Sequence, residues 1–392
     1  MDYSYLFNKA VRGMQPSGIR KYFDLLEGYE DVITLGVGQP DASVPPVVRA
    51  AAVGAITDGY VPYTANAGLF SLREAVCGYL SRRFSLCYCP ESETLITVGG
   101  SEAIDLMLRA VLNPGDEIIV PEPTFVCYTP LAELCGAVCI PVTLRAEDRF
   151  RLTPEALKKA LSPRTKLLVL PFPTNPTGGI MTHDDLVKIA DVLDGTDVLV
   201  LSDEVYAELT FSGHHVSPAS IPGMRERTVV IGSASKAFAM TGMRIGFAVG
   251  PEPLIDAMTR IHQYGIMSAP TTAQIAAVSA FNNCDADIDA MRLSYDRRRC
   301  LMLGGFAAMG MPCYPPDATF YLFPDITASG LTSEVFCDRL MEEGRVAVVP
   351  GTAFGASGEG FVRICCAYAE ENLREALNRI AAFWRKVTER AA

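Results

Sequence analysis

SASKAFAMTGMRIG, residues 233–246, joins two apolar runs and carries a lysine in unusual company. Lys236 is framed by Ser233, Ala234 and Ser235 and followed by the apolar Ala237, Phe238, Ala239 and Met240. Exposed lysines normally lie in polar surroundings, and buried ones occur chiefly at reactive sites. Taken alone, the stretch fits either a solvated loop lysine or a reactive amine. It also constrains the sheet. About ten residues separate a strand ending near Ser233 from one starting near Arg244. A parallel crossover needs about a dozen or more, so the second strand is expected to run antiparallel.

Upstream, short β-rich runs at 95–98, 117–120, 166–170, 197–201 and 228–231 alternate with helical patterns such as 101–112, and a last run spans 244–249. Near-continuous apolar strands separated by helices imply a mostly parallel sheet covered on both faces. The expected fold class is α/β. It comprises a large domain with a mostly parallel seven-stranded sheet flanked by helices, one strand antiparallel, and a smaller α+β domain. After about residue 285 the texture changes to a long helix at 287–309, two or three strands, and a closing helix at 371–390. The large domain is therefore assigned to 46–285. Residues 1–45 lack a strand-helix unit of their own and are assigned with 286–392 to the smaller domain.

Composition narrows the function. At 392 residues, two domains are the natural expectation. A net charge of −11 argues against a nucleic-acid partner held by phosphate contacts, and Arg297-Arg298-Arg299 reads as a solvated helix face. No apolar stretch is long enough for a membrane span, and MDYSYLFNKAVRG shows no secretion signal. The twelve cysteines are scattered, some in apolar runs such as LAELCGAVCIPV with Cys135 and Cys139. There is no CxxC and no pairing with the four histidines, so no metal site is expected. Buried, reduced thiols in a cytoplasmic protein are the reading. His214 and His215 read as loop residues.

The chemistry gathers after the strands, where ligands bind in a parallel sheet. VGGSEA puts Gly99, Gly100 and Ser101 at the start of a helix, whose backbone N–H groups can cradle a phosphate. PFPTNPTGG holds Asn175 between two proline turns, and Asp203, Glu204 and Tyr206 follow the 197–201 run. A carboxylate at the end of a buried strand is costly unless it meets a positive partner. Ser233 to Lys236 follow the next run. Singly each is ordinary: a tight turn, a turn asparagine, a loop lysine. Together, four strand ends offer phosphate donors, an amide, a carboxylate, a phenol and an amine. Pyridoxal 5′-phosphate asks for that set, having a phosphate, an aldehyde that condenses with lysine, a phenolic oxygen and a ring nitrogen.

On these residues the chain resembles the class I/II aminotransferases, fold-type I pyridoxal-phosphate enzymes of the aspartate aminotransferase superfamily. The resemblance covers almost the whole length. SASKAFAMTGMRIG fits the family's attachment-site pattern, and ITLGVGQPD, YTANAGLFSLR, VGGSEA, PEPTFVCY, NPTG, DEVY, VVPGTAFG and FVRICCA follow the family's order. The resemblance implies that Lys236 condenses with the cofactor and that Asp203 pairs with its ring nitrogen. It implies that Asn175 and Tyr206 donate to the phenolic oxygen and that Phe125 stacks on the ring. Gly100, Ser101, the backbone N–H of Glu102, Ser233, Ser235 and Arg244 would hold the phosphate. Arg363, with the backbone at Gly38, would bind the substrate α-carboxylate. A homodimer is implied, with Tyr63 reaching across the interface to the neighbour's phosphate.

Two departures border the substrate pocket. Gly38-Gln39-Pro40-Asp41-Ala42 lacks the usual glutamate and aromatic after aspartate, and Phe125 stands where many relatives have tyrosine or tryptophan. The activity implied is transfer of an amino group between an L-amino acid and a 2-oxo acid, 2-oxoglutarate being the expected acceptor. Two alternatives share the cofactor-holding residues: a carbon–sulfur β-lyase and a cofactor-sensing regulator. The regulator fits poorly, because such proteins carry a DNA-binding domain ahead of this fold and the carboxylate motif here begins by Gly38.

Overall fold

The computed structural model describes residues 3–16, 18–19 and 31–391. A short β1 (Ile33–Thr34) precedes the strands of the main sheet. These are β2 (Thr94–Thr97), β3 (Glu117–Glu122), β4 (Val138–Thr143), β5 (Thr165–Leu170), β6 (Leu199–Asp203), β7 (Thr228–Ser233) and β8 (Gly246–Val249). Their spatial order is β2-β8-β7-β6-β5-β3-β4. β8 runs antiparallel to both β2 and β7, and every other pairing is parallel. The short connection after Ser233 therefore does what its length requires, and the mostly parallel seven-stranded α/β sheet is borne out.

The apolar runs explain this sheet. β2, β7 and β8 are buried along their whole length, as expected of strands covered on both faces. Two runs are displaced from their expected bounds. The 197–201 run forms Leu199–Asp203, so Asp203 is the last strand residue rather than part of the loop. The 244–249 run starts only at Gly246, because Arg244 has a left-handed backbone (φ +57°) that no strand accommodates. β4, absent from the expected runs, lies at the sheet edge with Val138, Pro141 and Thr143 exposed, which weakens its apolar signal.

A long helix, Asp285–Ala308, leads to β9 (Tyr321–Leu322), β10 (Val346–Ala347), β11 (Val349–Pro350) and β12 (Val362–Cys365). β11-β12-β9 form an antiparallel sheet, and β10 pairs in parallel with β1. Helices Ser333–Gly344 and Glu370–Ala391 pack there around Phe336, Leu340, Ile380, Phe383 and Trp384. All twelve cysteines are free, but only Cys284, Cys337, Cys365 and Cys366 are buried. Cys87, Cys89 and Cys300 are exposed, and Cys135 and Cys139 are half-buried, which corrects the uniformly buried thiols expected from their apolar neighbours. No helix among the described residues is long and apolar enough to cross a membrane.

Candidate active site

The ends of β5, β6 and β7, the start of helix Gly99–Val111, and β9 and β12 enclose one cleft of about 280 Å³. Every candidate residue lines it except Glu102 and Tyr63. Lys236 lies in the one-turn helix Ala234–Ala237, which Ser233 caps by accepting the Ser235 N–H at 3.1 Å. Its Nζ donates to the Gly38 carbonyl at 2.6 Å and stands 5.9 Å from the Tyr206 and Phe320 rings. Burial lowers its pKa to about 8, with help from the Arg363 and Arg244 charges and against an opposing effect of Cys365. A share of this amine is therefore neutral and nucleophilic near neutral pH.

Asp203 ends β6. Its Oδ2 accepts the Tyr128 hydroxyl at 2.6 Å and its Oδ1 the Val205 N–H at 3.2 Å. No cation pairs with it among the described residues. Burial raises its pKa, and the Tyr128 and Val205 hydrogen bonds oppose that rise. The reverse holds for three cations. Arg363 is 2% exposed and donates to Asn175 Oδ1 at 3.0 Å and to the Gly36 carbonyl at 2.6 Å, while its buried Nε has no partner among the described residues. Its guanidinium lies over the Tyr321 and Phe354 rings at 4.4 and 4.8 Å. Arg244 donates to the Thr241 carbonyl. Among the described residues neither arginine, nor Lys236, has a carboxylate partner. Charge held away from water without a counter-charge is costly. Arg363 is buried, Lys236 and Asp203 are half-buried and Arg244 is exposed, so this cleft suits a ligand that brings anionic groups to the cations and a cationic atom to Asp203.

The anion end is built from backbone. Gly99 has φ +75°, and a Cβ there would lie 2.4 Å from Arg244 Nη2, so only glycine lets the arginine rest on this turn. Gly100 and Ser101 follow at the helix start, facing Ser233, Ser235 and Arg244 across the cleft. Pyridoxal 5′-phosphate fits this donor set: an oxyanion at the helix start and Arg244, an aldehyde near Lys236, a ring nitrogen toward the uncompensated Asp203.

The other named residues take the following places. Glu102 lies outside the cleft, its carboxylate accepting from Val98 N–H and His262. Tyr63 is 83% exposed on the surface. Arg363 bonds the carbonyl of Gly36, whereas Gly38 meets Lys236. His215 lies in a loop, as expected, but its side chain is buried, with Nε2 2.7 Å from Oε2 of Glu204, a carboxylate that also accepts from Ser202 and Ser217 through Oε1. Tyr128 and Tyr321 were not singled out from sequence. Tyr128 stands three residues after Phe125, within PEPTFVCY, the one signal that could have found it. Tyr321 shares a 2.9 Å hydrogen bond with Tyr206, and nothing local marks it.

Comparison with known proteins places the chain among aminotransferases. The family described as aminotransferase class I and II matches residues 30–380. A Bacillus subtilis protein, YugH, carrying an aminotransferase name, is 46% identical over 98% of this chain and 100% of its own. The aromatic-amino-acid aminotransferase 2 of Thermococcus litoralis is 39% identical over 94% of this chain and 95% of its own. Among solved structures, the aspartate aminotransferase of Thermus thermophilus with maleate superposes with a TM-score of 0.91. It is 37% identical, covering 96% of this chain and 99% of that one.

Proposed function

Since the chain belongs to the class I and II aminotransferase family, we propose that its cleft binds pyridoxal 5′-phosphate and moves an amino group from an L-amino acid to 2-oxoglutarate. One observation carries this reading: among the described residues Asp203 lacks a cation while Lys236, Arg244 and Arg363 lack carboxylates, all in one cleft. The cofactor supplies an aldehyde for condensation with amines and a ring that takes up electron density.

The remaining roles belong to the chain. Lys236 would hold the cofactor through its aldehyde and, when its amine is free, would take the proton from the substrate Cα. Asp203 would favour a protonated ring nitrogen, and Tyr128 holds Asp203 in place. Asn175 and Tyr206 donate to the phenolic oxygen, and Phe125 covers the ring. Gly100, Ser101, the Glu102 N–H, Ser233, Ser235 and Arg244 bind the phosphate. Arg363, with the backbone at Gly38, binds the α-carboxylate through its planar, bidentate guanidinium.

The same proposal makes the active unit a homodimer in which Tyr63 reaches the neighbour's phosphate. Tyr63 stands beside the exposed Tyr60 and Val61, and Asn66 joins its segment to the exposed Met267, an apolar surface of the kind an interface covers. Residues 46–285 form the cofactor-binding domain and 1–45 with 286–392 the smaller one, supported by the β1–β10 pairing; residues 1–2, 17, 20–30 and 392 lie outside the described residues. Twelve unpaired thiols fit a reducing, cytoplasmic setting.

The test is a panel of amino donors (aspartate, alanine, aromatic and acylated diamino acids) with 2-oxoglutarate. Glutamate should form with at least one donor and only when the acceptor is present. Pyruvate and ammonia released without an acceptor would identify a β-lyase instead.

A further inference from the structure

Glu102 carries an apparent contradiction. It stands at the fourth position of helix Gly99–Val111, where its backbone serves an anion site and its carboxylate would repel the anion. The side chain is turned away. Oε2 accepts the N–H of Val98, the residue just before the helix, and Oε1 meets His262 Nδ1 at 2.7 Å. Val98 has no side-chain oxygen with which to cap the helix, so Glu102 secures that turn from within. His262 comes from a distant helix, Glu252–Gly265, and is wholly buried, with its Nε2 lacking a partner among the described residues. A buried imidazole with only one nitrogen engaged is not there for its own hydrogen bonding. Its one bond serves Glu102.

We propose that His262 is a positioning residue for the anion end of the cleft. It draws the Glu102 carboxylate back against Val98 N–H, and so fixes the turn that presents Gly100 and Ser101 to the cofactor phosphate. Without His262 the carboxylate keeps a single tether and is free to swing toward the anion. The inference rests on the phosphate site proposed above.

The experiment separates the two. Full-length protein is stripped of cofactor and titrated with pyridoxal 5′-phosphate and with pyridoxal, which lacks the phosphate. Wild type should prefer the phosphorylated form strongly. His262→Leu should weaken that form by about tenfold or more, the scale of one hydrogen bond to a charged group, and leave pyridoxal binding unchanged. His262→Asn, whose amide can donate in place of Nδ1, should restore most of the preference. Should the leucine variant fail to fold, His262→Phe provides the same removal with a flat ring. Equal weakening of both ligands, or of neither, would overturn the role of His262 alone. A wild type indifferent to the phosphate would bring down the phosphate site, and this inference with it.

Discussion

Replacing Asp203 with asparagine separates cofactor electronics from cofactor binding. The substitution keeps size and shape, and one amide oxygen can still accept from Tyr128 or Val205, which now hold the carboxylate at 2.6 and 3.2 Å. What disappears is the only carboxylate among the described residues lining the cleft. The amide nitrogen can then only donate, and it favours a ring nitrogen without its proton. Removing one partner of a desolvated ion pair costs about 3–5 kcal/mol. At about 1.36 kcal/mol per tenfold, Asp203→Asn should slow the reaction between about a hundredfold and several thousandfold. The lower end is expected, because Asp203 is only partly buried. Cofactor retention is read from absorbance of the purified protein, and the rate from a single half-reaction with an amino acid alone. Turnover within a few-fold of wild type, with cofactor retained, would refute the pairing of Asp203 with the ring.

Lys236 sets a pH dependence. Its pKa is lowered to about 8 from the usual 10.5, so its neutral form accumulates as pH rises through about 8. Reductive labelling of Lys236 by a small aldehyde in cofactor-free protein should follow that midpoint, and a midpoint near the ordinary lysine value would contradict the assigned burial. Arg363→Lys should raise the amino-acid KM by about tenfold or more while cofactor binding holds, since an ammonium cannot reproduce the two-pronged grip; an unchanged KM for every donor would remove Arg363 from the substrate site. Hybrids of Tyr63→Phe and Lys236→Ala subunits test the interface: a contact made in trans puts both lesions in one site and leaves the other intact, so activity should exceed that of the parental mixtures. No such gain, or a fully active monomer, would rule the contact out.

The features legible in sequence are those written in contiguous residues. SASKAFAMTGMRIG and the buried runs 166–170 and 228–231 announce their strands and loops, because strands covered on both faces need unbroken apolar stretches. Partnerships across the fold leave no such mark. Tyr128 meets Asp203 from 75 residues away, Tyr321 meets Tyr206 from 115, and His262 meets Glu102 from 160. The Gly36 and Gly38 carbonyls, which receive Arg363 and Lys236, have no side chain to signal their use. His215 is a loop residue whose buried partner, Glu204, nothing local announces. The edge strand β4 was hidden because half of it faces solvent.

The most direct measurement is to reduce the purified, yellow protein with borohydride and map the peptide that carries the cofactor. The label should fall on Lys236 alone, and Lys236→Ala should bind the cofactor without covalent linkage and fail to transaminate. A label on any other lysine, or none on a protein that still transfers amino groups, would contradict the account.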